Sequence, residues 1–127
     1  MNLFNEIQHL SNIMLNDIQV FVVLMAIDVI TGLIKGTRNH RLSSSIMNLG
    51  IRKKSGMIFA IVFAIVLDAM MFKDVPTFTT MMVLLSIANE GLSICENLSQ
   101  LGVPIPKAIT NRLKVLKEDA EESSNKE

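Results

Sequence analysis

The chain has 127 residues, of which half are apolar, and its twelve basic side chains balance twelve acidic ones. This length allows one domain, and a neutral net charge provides no overall field that would favour nucleic acid. A single cysteine, Cys95, excludes an intrachain disulfide and any metal site built from several cysteines. The composition therefore predicts no cofactor, no bound metal and no nucleic-acid partner.

The N-terminal stretch, residues 1–17, contains no lysine or arginine, so the basic region of a secretory signal peptide is missing. We therefore expect the first apolar segment to be retained in the mature protein. Apolar residues recur in this stretch at helical spacing: Leu3, Phe4, Ile7, Leu10 and Met14. The spacing predicts an amphipathic helix on the outer membrane surface, with a frayed terminus as the alternative.

Three apolar segments follow, at residues 18–34, 56–72 and 77–95. A helix of such a length extends about 26–29 Å, close to the roughly 30 Å of a hydrocarbon core. The second segment has no polar side chain between Gly56 and Leu67, so a helix there has no face left for water. A soluble bundle of this size could not cover such a helix. We predict an all-α membrane protein whose three transmembrane helices lie within residues 18–95.

Charge predicts the orientation of these helices. Residues 35–54 carry six basic side chains and no acidic one, and further basic residues follow the third segment. By the positive-inside rule, the loop at 35–54 and the C-terminus lie in the cytoplasm and the N-terminus lies outside. The basic residues expected at the membrane surface are Arg52, Lys53, Lys54, Lys107, Arg112, Lys114 and Lys117.

The C-terminal part begins after the third segment, where Gly102 and two prolines interrupt the helix. We expect residues 96–117 to form a basic amphipathic helix with an apolar edge at Ile105, Ile109, Leu113 and Leu116, which suits an anionic inner leaflet. Residues 118–127 are polar and acidic, and we expect a disordered tail there.

Each predicted span contains a carboxylate: Asp28 in the first, Asp68 in the second, and Glu90, beside Asn89, in the third. An aspartate at the centre of a membrane helix costs about 2.5–3.5 kcal/mol on insertion scales, so such groups face protein or water. Asp68 is near the end of its segment, and water at the interface is an equal alternative for it. Lys35 is a candidate counter-ion for Asp28.

Small and polar residues lie on the same helix faces as the carboxylates. These faces comprise Asp28, Gly32 and Gly36 in the first segment, Gly56, Ala60, Ala64 and Asp68 in the second, and Ser86, Glu90, Ser93 and Asn97, with Asn89 beside them, in the third. Small faces allow helix backbones to approach closely. The faces predict contacts either within one monomer or between copies, and an oligomer that turned them toward water would form a pore.

No catalytic pattern is present in the sequence. His9 and His40 lie on opposite sides of the membrane in the predicted topology, and the motifs of zinc proteases, P-loops, Rossmann folds and nucleophile elbows are missing. We therefore predict that the protein is not an enzyme.

Several motifs together resemble the toxin-secretion and phage-lysis holin family of Gram-positive bacteria and their phages. They are DVITGLIK at 28–35, SSS at 43–45, GIRKK at 50–54, NEGLSICEN at 89–97 and LGVPIP at 101–106. The resemblance implies a homo-oligomer of the bacterial inner membrane that accumulates and then forms holes, which release an endolysin or a toxin without contacting it directly. It also allows an antiholin partner and a second translation start at Met14.

Two other functions remain open from the residues alone. In a small ion or proton channel, or a transporter subunit, Asp28 and Glu90 would bind the transported cation; such proteins often contain an internal repeat, and none is visible here. An antiholin regulator would instead use its cytoplasmic part to contact a partner.

Overall fold

The computed structural model describes residues 3–38, 44–71 and 77–125, which form four helices. Helix α1 is Leu3–Arg38, α2 is Ser44–Met71, α3 is Thr77–Gln100 and α4 is Lys107–Asn125. Three of them contain stretches long and apolar enough to cross a membrane, at Asn16–Arg38, Met47–Met71 and Thr77–Gln100. The predicted all-α architecture with three apolar helices is confirmed.

Helix α1 differs from the prediction because the N-terminal stretch and the first span are one continuous helix. No residue between Leu3 and Arg38 is a proline, and the basic Lys35 and Arg38 in the last turn suit the negative end of the helix dipole. The side chains of Leu3, Phe4, Ile7, Leu10 and Met14 lie outside the described residues. Their predicted position on the outer membrane surface stays a prediction.

The expected loop at 35–54 is largely helical. Residues 35–38 end α1 and residues 44–54 begin α2, and residues 39–43 between them lie outside the described residues. Lysine and arginine are good helix formers, so a basic composition does not oppose extension of the helices. Helix α2 begins at Ser44, within the serine run of the sequence.

Helix α3 is the centre of the molecule, because α1, α2 and α4 each pack against it. One apolar cluster joins the three spans through Phe21 of α1, Ile61 of α2 and Val83 of α3, all of them buried. Around this cluster the outer faces are apolar and exposed, with Phe59 at 73% and Phe63 at 63% of their full exposure. This arrangement is typical of a helix bundle whose solvent is lipid.

A tight turn reverses the chain after α3. The Gly102 N–H donates to Ser99 O at 3.1 Å and the Val103 N–H donates to Leu98 O at 3.0 Å, which together form a Schellman motif. Gly102 adopts the left-handed φ of 88° that this motif requires. Pro104 and Pro106 then prevent the helix from continuing, and α4 begins at Lys107.

Helix α4 is longer than expected and returns along α3. Residues 118–125, expected in a disordered tail, continue the helix, and Ala120 is buried. Alanine and glutamate favour helix, and packing of the Ala120 turn adds to that preference. The expected 96–117 helix is divided, since residues 96–100 belong to α3.

Candidate functional site

A buried ionic cluster joins the three apolar helices. The ammonium group of Lys54 in α2 donates to Asp28 Oδ2 of α1 and to Glu90 Oε2 of α3, at 2.7 Å in each case. Asp28 retains 8% and Glu90 4% of its full exposure. We call this group the inner cluster. Because each member comes from a different helix, the cluster forms only when all three helices are packed together.

The remaining oxygen of Asp28 is also bound. The Asn97 side-chain amide of α3 donates to Asp28 Oδ1 at 2.9 Å, to the Asp28 carbonyl at 3.2 Å and to Thr31 Oγ1 at 3.0 Å. Thr31 in turn donates to the Ile27 carbonyl at 2.8 Å. The amide approaches α1 beside Gly32, where an added Cβ would lie 3.6 Å from it. Both carboxylate oxygens of Asp28 are therefore satisfied by protein groups.

The inner cluster is not electrically neutral when all its members are ionised, because two carboxylates share one ammonium. A net charge held away from water is costly, and each charge in such a group depends on its partners. Opening the cluster within a hydrocarbon environment would expose three charges at once. The charged groups are therefore stable when the helices are packed or when water replaces every protein partner. They are unfavourable when the helices separate within hydrocarbon.

Asp68 is held differently, at the far end of α2. Its Oδ1 accepts the Phe78 N–H at 2.9 Å and its Oδ2 accepts the Thr79 N–H at 2.8 Å, so it caps the N-terminus of α3. Free N–H groups and the positive end of the helix dipole stabilise a carboxylate there. At 7% of its full exposure, Asp68 is buried. Of the two alternatives for this residue, the structure favours the contact with protein.

The predicted small-residue faces are only partly in contact. Ala64 and Asp68 are buried and Ala60 is half-buried, but Gly56 is exposed and has no atom within 4 Å of an added Cβ. A row of every fourth residue turns by about 40° per step around a helix, so a row of four residues cannot stay on one contact face. Gly32 lies at the contact with α3, and Gly36, Asn89 and Ser93 are half-buried.

Two expectations for basic residues need correction. Lys54, expected at the membrane surface, is the half-buried cation of the inner cluster, and it takes the role expected of Lys35 as the counter-ion of Asp28. Lys35 is half-buried in the last turn of α1. Of the other basic residues, Arg52, Lys53, Lys107, Arg112 and Lys114 are exposed and Lys117 is half-buried, and their position at the membrane surface stays a prediction.

The sequence contained a signal for the role of Lys54 that spacing alone did not reveal. Lys54 ends the basic run 52–54 and is separated from the apolar stretch by Ser55 alone, so it is the member of the run that lies closest to the bundle if the helix continues. Arg38 was also missed: its guanidinium donates to the Leu101 carbonyl at 2.7 Å and links the end of α1 to the turn after α3. Such contacts between distant segments leave no periodic trace in the sequence.

Comparison with known proteins gives one consistent result. A family model for bacteriophage holins matches residues 7–118. A probable holin of Bacillus phage phi105 is 39% identical over 98% of this chain and 86% of its own length. The protein YqxH of Bacillus subtilis is 43% identical over 85% of this chain and 76% of its own length. No solved structure matches the fold.

The matched range contains the three apolar helices, the inner cluster, the Asp68 cap and most of α4. The similarity to the phage protein extends over almost the whole chain, so it includes the connections as well as the spans. With its three apolar helices, this membrane protein belongs to the bacteriophage holin family.

Proposed function

We propose that the protein is a holin that accumulates in the bacterial inner membrane with its N-terminus outside and its C-terminus in the cytoplasm. Copies then associate and form holes that release an endolysin, or a toxin, without binding it. The observation that carries this proposal is the inner cluster: three apolar helices of a holin-family chain direct their charged groups toward one another. Such a chain presents an apolar exterior to lipid while holding the polar surface that a water-filled hole needs.

The packed monomer accounts for the harmless phase of accumulation. Asp28 and Glu90 are buried against Lys54, while the exterior of α1 and α2 is apolar, so a single copy offers water no path across the bilayer. In the proposed hole, the helices of several copies turn these carboxylates toward a common aqueous lumen, where hydration replaces the Lys54 contacts. One chain of three spans has too few polar faces to surround a lumen, and association with further copies supplies the others.

Inducible expression in a bacterium together with an endolysin that lacks its own export signal tests this function. We expect normal growth followed by an abrupt stop and lysis, earlier when a protonophore collapses the membrane potential. The variants Asp28→Asn and Glu90→Gln should shift the time of lysis, whereas the matched variant Glu96→Gln, at an exposed position of α3, should not.

The alternatives give different results in the same cells. A channel or transporter subunit would produce ion or solute flux without release of the endolysin. An antiholin regulator would produce no lysis alone and would delay lysis by another holin. Unchanged timing in both carboxylate variants would mean that Asp28 and Glu90 serve only the packing of the monomer.

A further inference from the structure

Helix α4 packs against the apolar part of α3, at a level that would lie within the bilayer if α3 crossed it. Helix α4 packs beside Gly91, where an added Cβ would lie 3.0 Å from Leu113 Cδ2 and 3.1 Å from Leu113 Cδ1. Gly91 is near the middle of the apolar helix Thr77–Gln100. Because the short turn at 101–106 makes the two helices antiparallel, α4 runs from the end of α3 back toward its first half.

The packed stripe of α4 faces α3 and includes one charged residue, Lys117, while the exposed charged residues lie outside the stripe. Thr110, Leu113, Leu116 and Lys117 are half-buried and Ala120 is buried, with the spacing of one helix face. Ile109, expected on the apolar edge, is exposed instead. The outward side carries four exposed charged residues close to this stripe: Arg112, Lys114, Glu118 and Asp119.

Two surfaces of opposite character therefore lie at the same level. Glu90, next to Gly91, is tied through Lys54 to Asp28, so the Leu113 turn of α4 is level with the Asp28 turn of α1. At that level α1 exposes the apolar Val29 and Ile30. If the bundle lies at a depth where Val29 and Ile30 contact hydrocarbon, the charged side of α4 lies in hydrocarbon too. Burial of ionised groups in hydrocarbon is strongly unfavourable.

We propose that α4 separates from α3 when α3 crosses the bilayer, pivots about the turn at 101–106, and lies on the cytoplasmic membrane surface. The closed hairpin is then the state of the chain before α3 is fully inserted. The Schellman turn and the two prolines keep the pivot point fixed while α4 swings. On the surface, Leu113, Leu116 and Ala120 face the lipid and the charged side faces water. This inference rests on α3 spanning the membrane and does not require hole formation.

Cross-linking in the full-length protein tests the separation. The variant Thr110→Cys places a second thiol on the packed stripe, one turn before Leu113. Because Leu113 contacts Gly91 and the helices are antiparallel, we expect position 110 to lie beside the next turn of α3, which carries the native Cys95. A short bis-maleimide should join the two thiols in detergent micelles, which impose no fixed depth. In membrane vesicles whose protein has its termini on opposite sides, we expect this cross-link to be lost.

Three controls make the result specific. The variant Val115→Cys places the second thiol on the exposed side of α4, so it should not cross-link to Cys95 within one chain. The wild type, with Cys95 alone, reports cross-links between copies. A reference pair across α2 and α3, Met57→Cys with Ile87→Cys in a Cys95→Ala background, should cross-link in both environments, because both side chains pack against the apolar cluster that joins the spans.

Each contrary result overturns the proposal. A cross-link between positions 95 and 110 that matches the reference pair in membranes with opposed termini would show that α4 stays on α3. Termini on the same side together with an intact cross-link would show that α3 does not cross. Absence of the cross-link in micelles as well would contradict the closed hairpin itself.

Discussion

Asp28 and Asp68 lie at two levels of the same bundle, separated by the apolar layer of Phe21, Ile61 and Val83. Asp28 is balanced by an ammonium group from another helix, together with a side-chain amide. Asp68 is balanced by two backbone N–H groups at the start of the next helix. Asp28 thus depends on side chains of two other helices, whereas Asp68 depends on backbone groups that nearly any sequence would supply.

The difference in sequence separation gives the two sites different roles. Asp68 and Phe78 are 10 residues apart, so the cap can form as soon as α2 and α3 fold as a hairpin. Asp28 is 26 residues from Lys54 and 69 from Asn97, so the inner cluster reports the assembly of all three spans. A rearrangement of spans in a hole would break the inner cluster and could leave the Asp68 cap intact.

The largest effect is expected for Lys54→Met, which removes the cation and leaves two buried carboxylates. Breaking a buried ion pair on one side costs about 3–5 kcal/mol, so we expect a loss of this order in the free energy of unfolding in detergent micelles. Lys53→Met, at the exposed neighbouring position, should change it by less than about 0.5 kcal/mol. Equal effects of the two variants would contradict the role of Lys54.

Neutralising the whole inner cluster should recover much of that loss. In the triple variant Lys54→Met, Asp28→Asn, Glu90→Gln no charge remains buried, and we expect stability about 2 kcal/mol above that of Lys54→Met alone, since buried ion pairs are often replaceable as a unit. The same unfolding measurement checks this. If the triple variant were less stable than Lys54→Met, the ionic contacts would not be coupled.

The main architecture followed from the sequence because it depends on local properties. The uninterrupted apolar run after Gly56 predicts a lipid-exposed helix, and the glycine and prolines at 102–106 predict the end of α3. These signals act over one or two helical turns. They predict local structure without any knowledge of the tertiary contacts.

The partners of the site residues were not predictable in the same way. Lys35 and Lys54 are both basic residues next to an apolar segment, and only the packing of α2 on α3 decides which one meets Asp28. The regular spacing of Gly56 with Ala60 and Ala64 favoured a shared face, but helix rotation placed Gly56 outside it. The acidic composition of 118–125 indicated disorder, although burial of Ala120 helps to keep it helical.

At the Asp68 cap, Asp68→Ala should lower the free energy of unfolding by less than Lys54→Met does. It removes a cap from two N–H groups of α3 but leaves no buried charge, and loss of an N-cap residue costs about 0.5–2 kcal/mol. Asp68→Asn, which keeps one oxygen as an acceptor, should lose less. Unfolding in micelles measures the loss in free energy of unfolding. Amide hydrogen exchange at Phe78 and Thr79 should be faster in Asp68→Ala. Unchanged exchange there would contradict the cap.

The smallest changes in unfolding free energy are expected for two threonine variants, and they should have opposite signs at the Asp68 cap and at the inner cluster. Thr79 gives its N–H to Asp68, but its buried hydroxyl has no hydrogen-bond partner among the described residues. Thr79→Val keeps the backbone contact and removes that hydroxyl, so we expect a gain of up to about 1 kcal/mol in unfolding free energy. Thr31→Val should instead lose about 1 kcal/mol, because the Thr31 hydroxyl accepts from Asn97.

The two threonine variants form a matched pair, since each replaces a hydroxyl by a methyl group next to a buried aspartate. Opposite signs are expected because the hydroxyl at the inner cluster belongs to the hydrogen-bond network, whereas at the cap the contacts of the carboxylate with the described residues are to backbone N–H groups. Equal losses would mean that the Thr79 hydroxyl is also bound in the membrane. In that case the Asp68 cap, like the inner cluster, would depend on side chains.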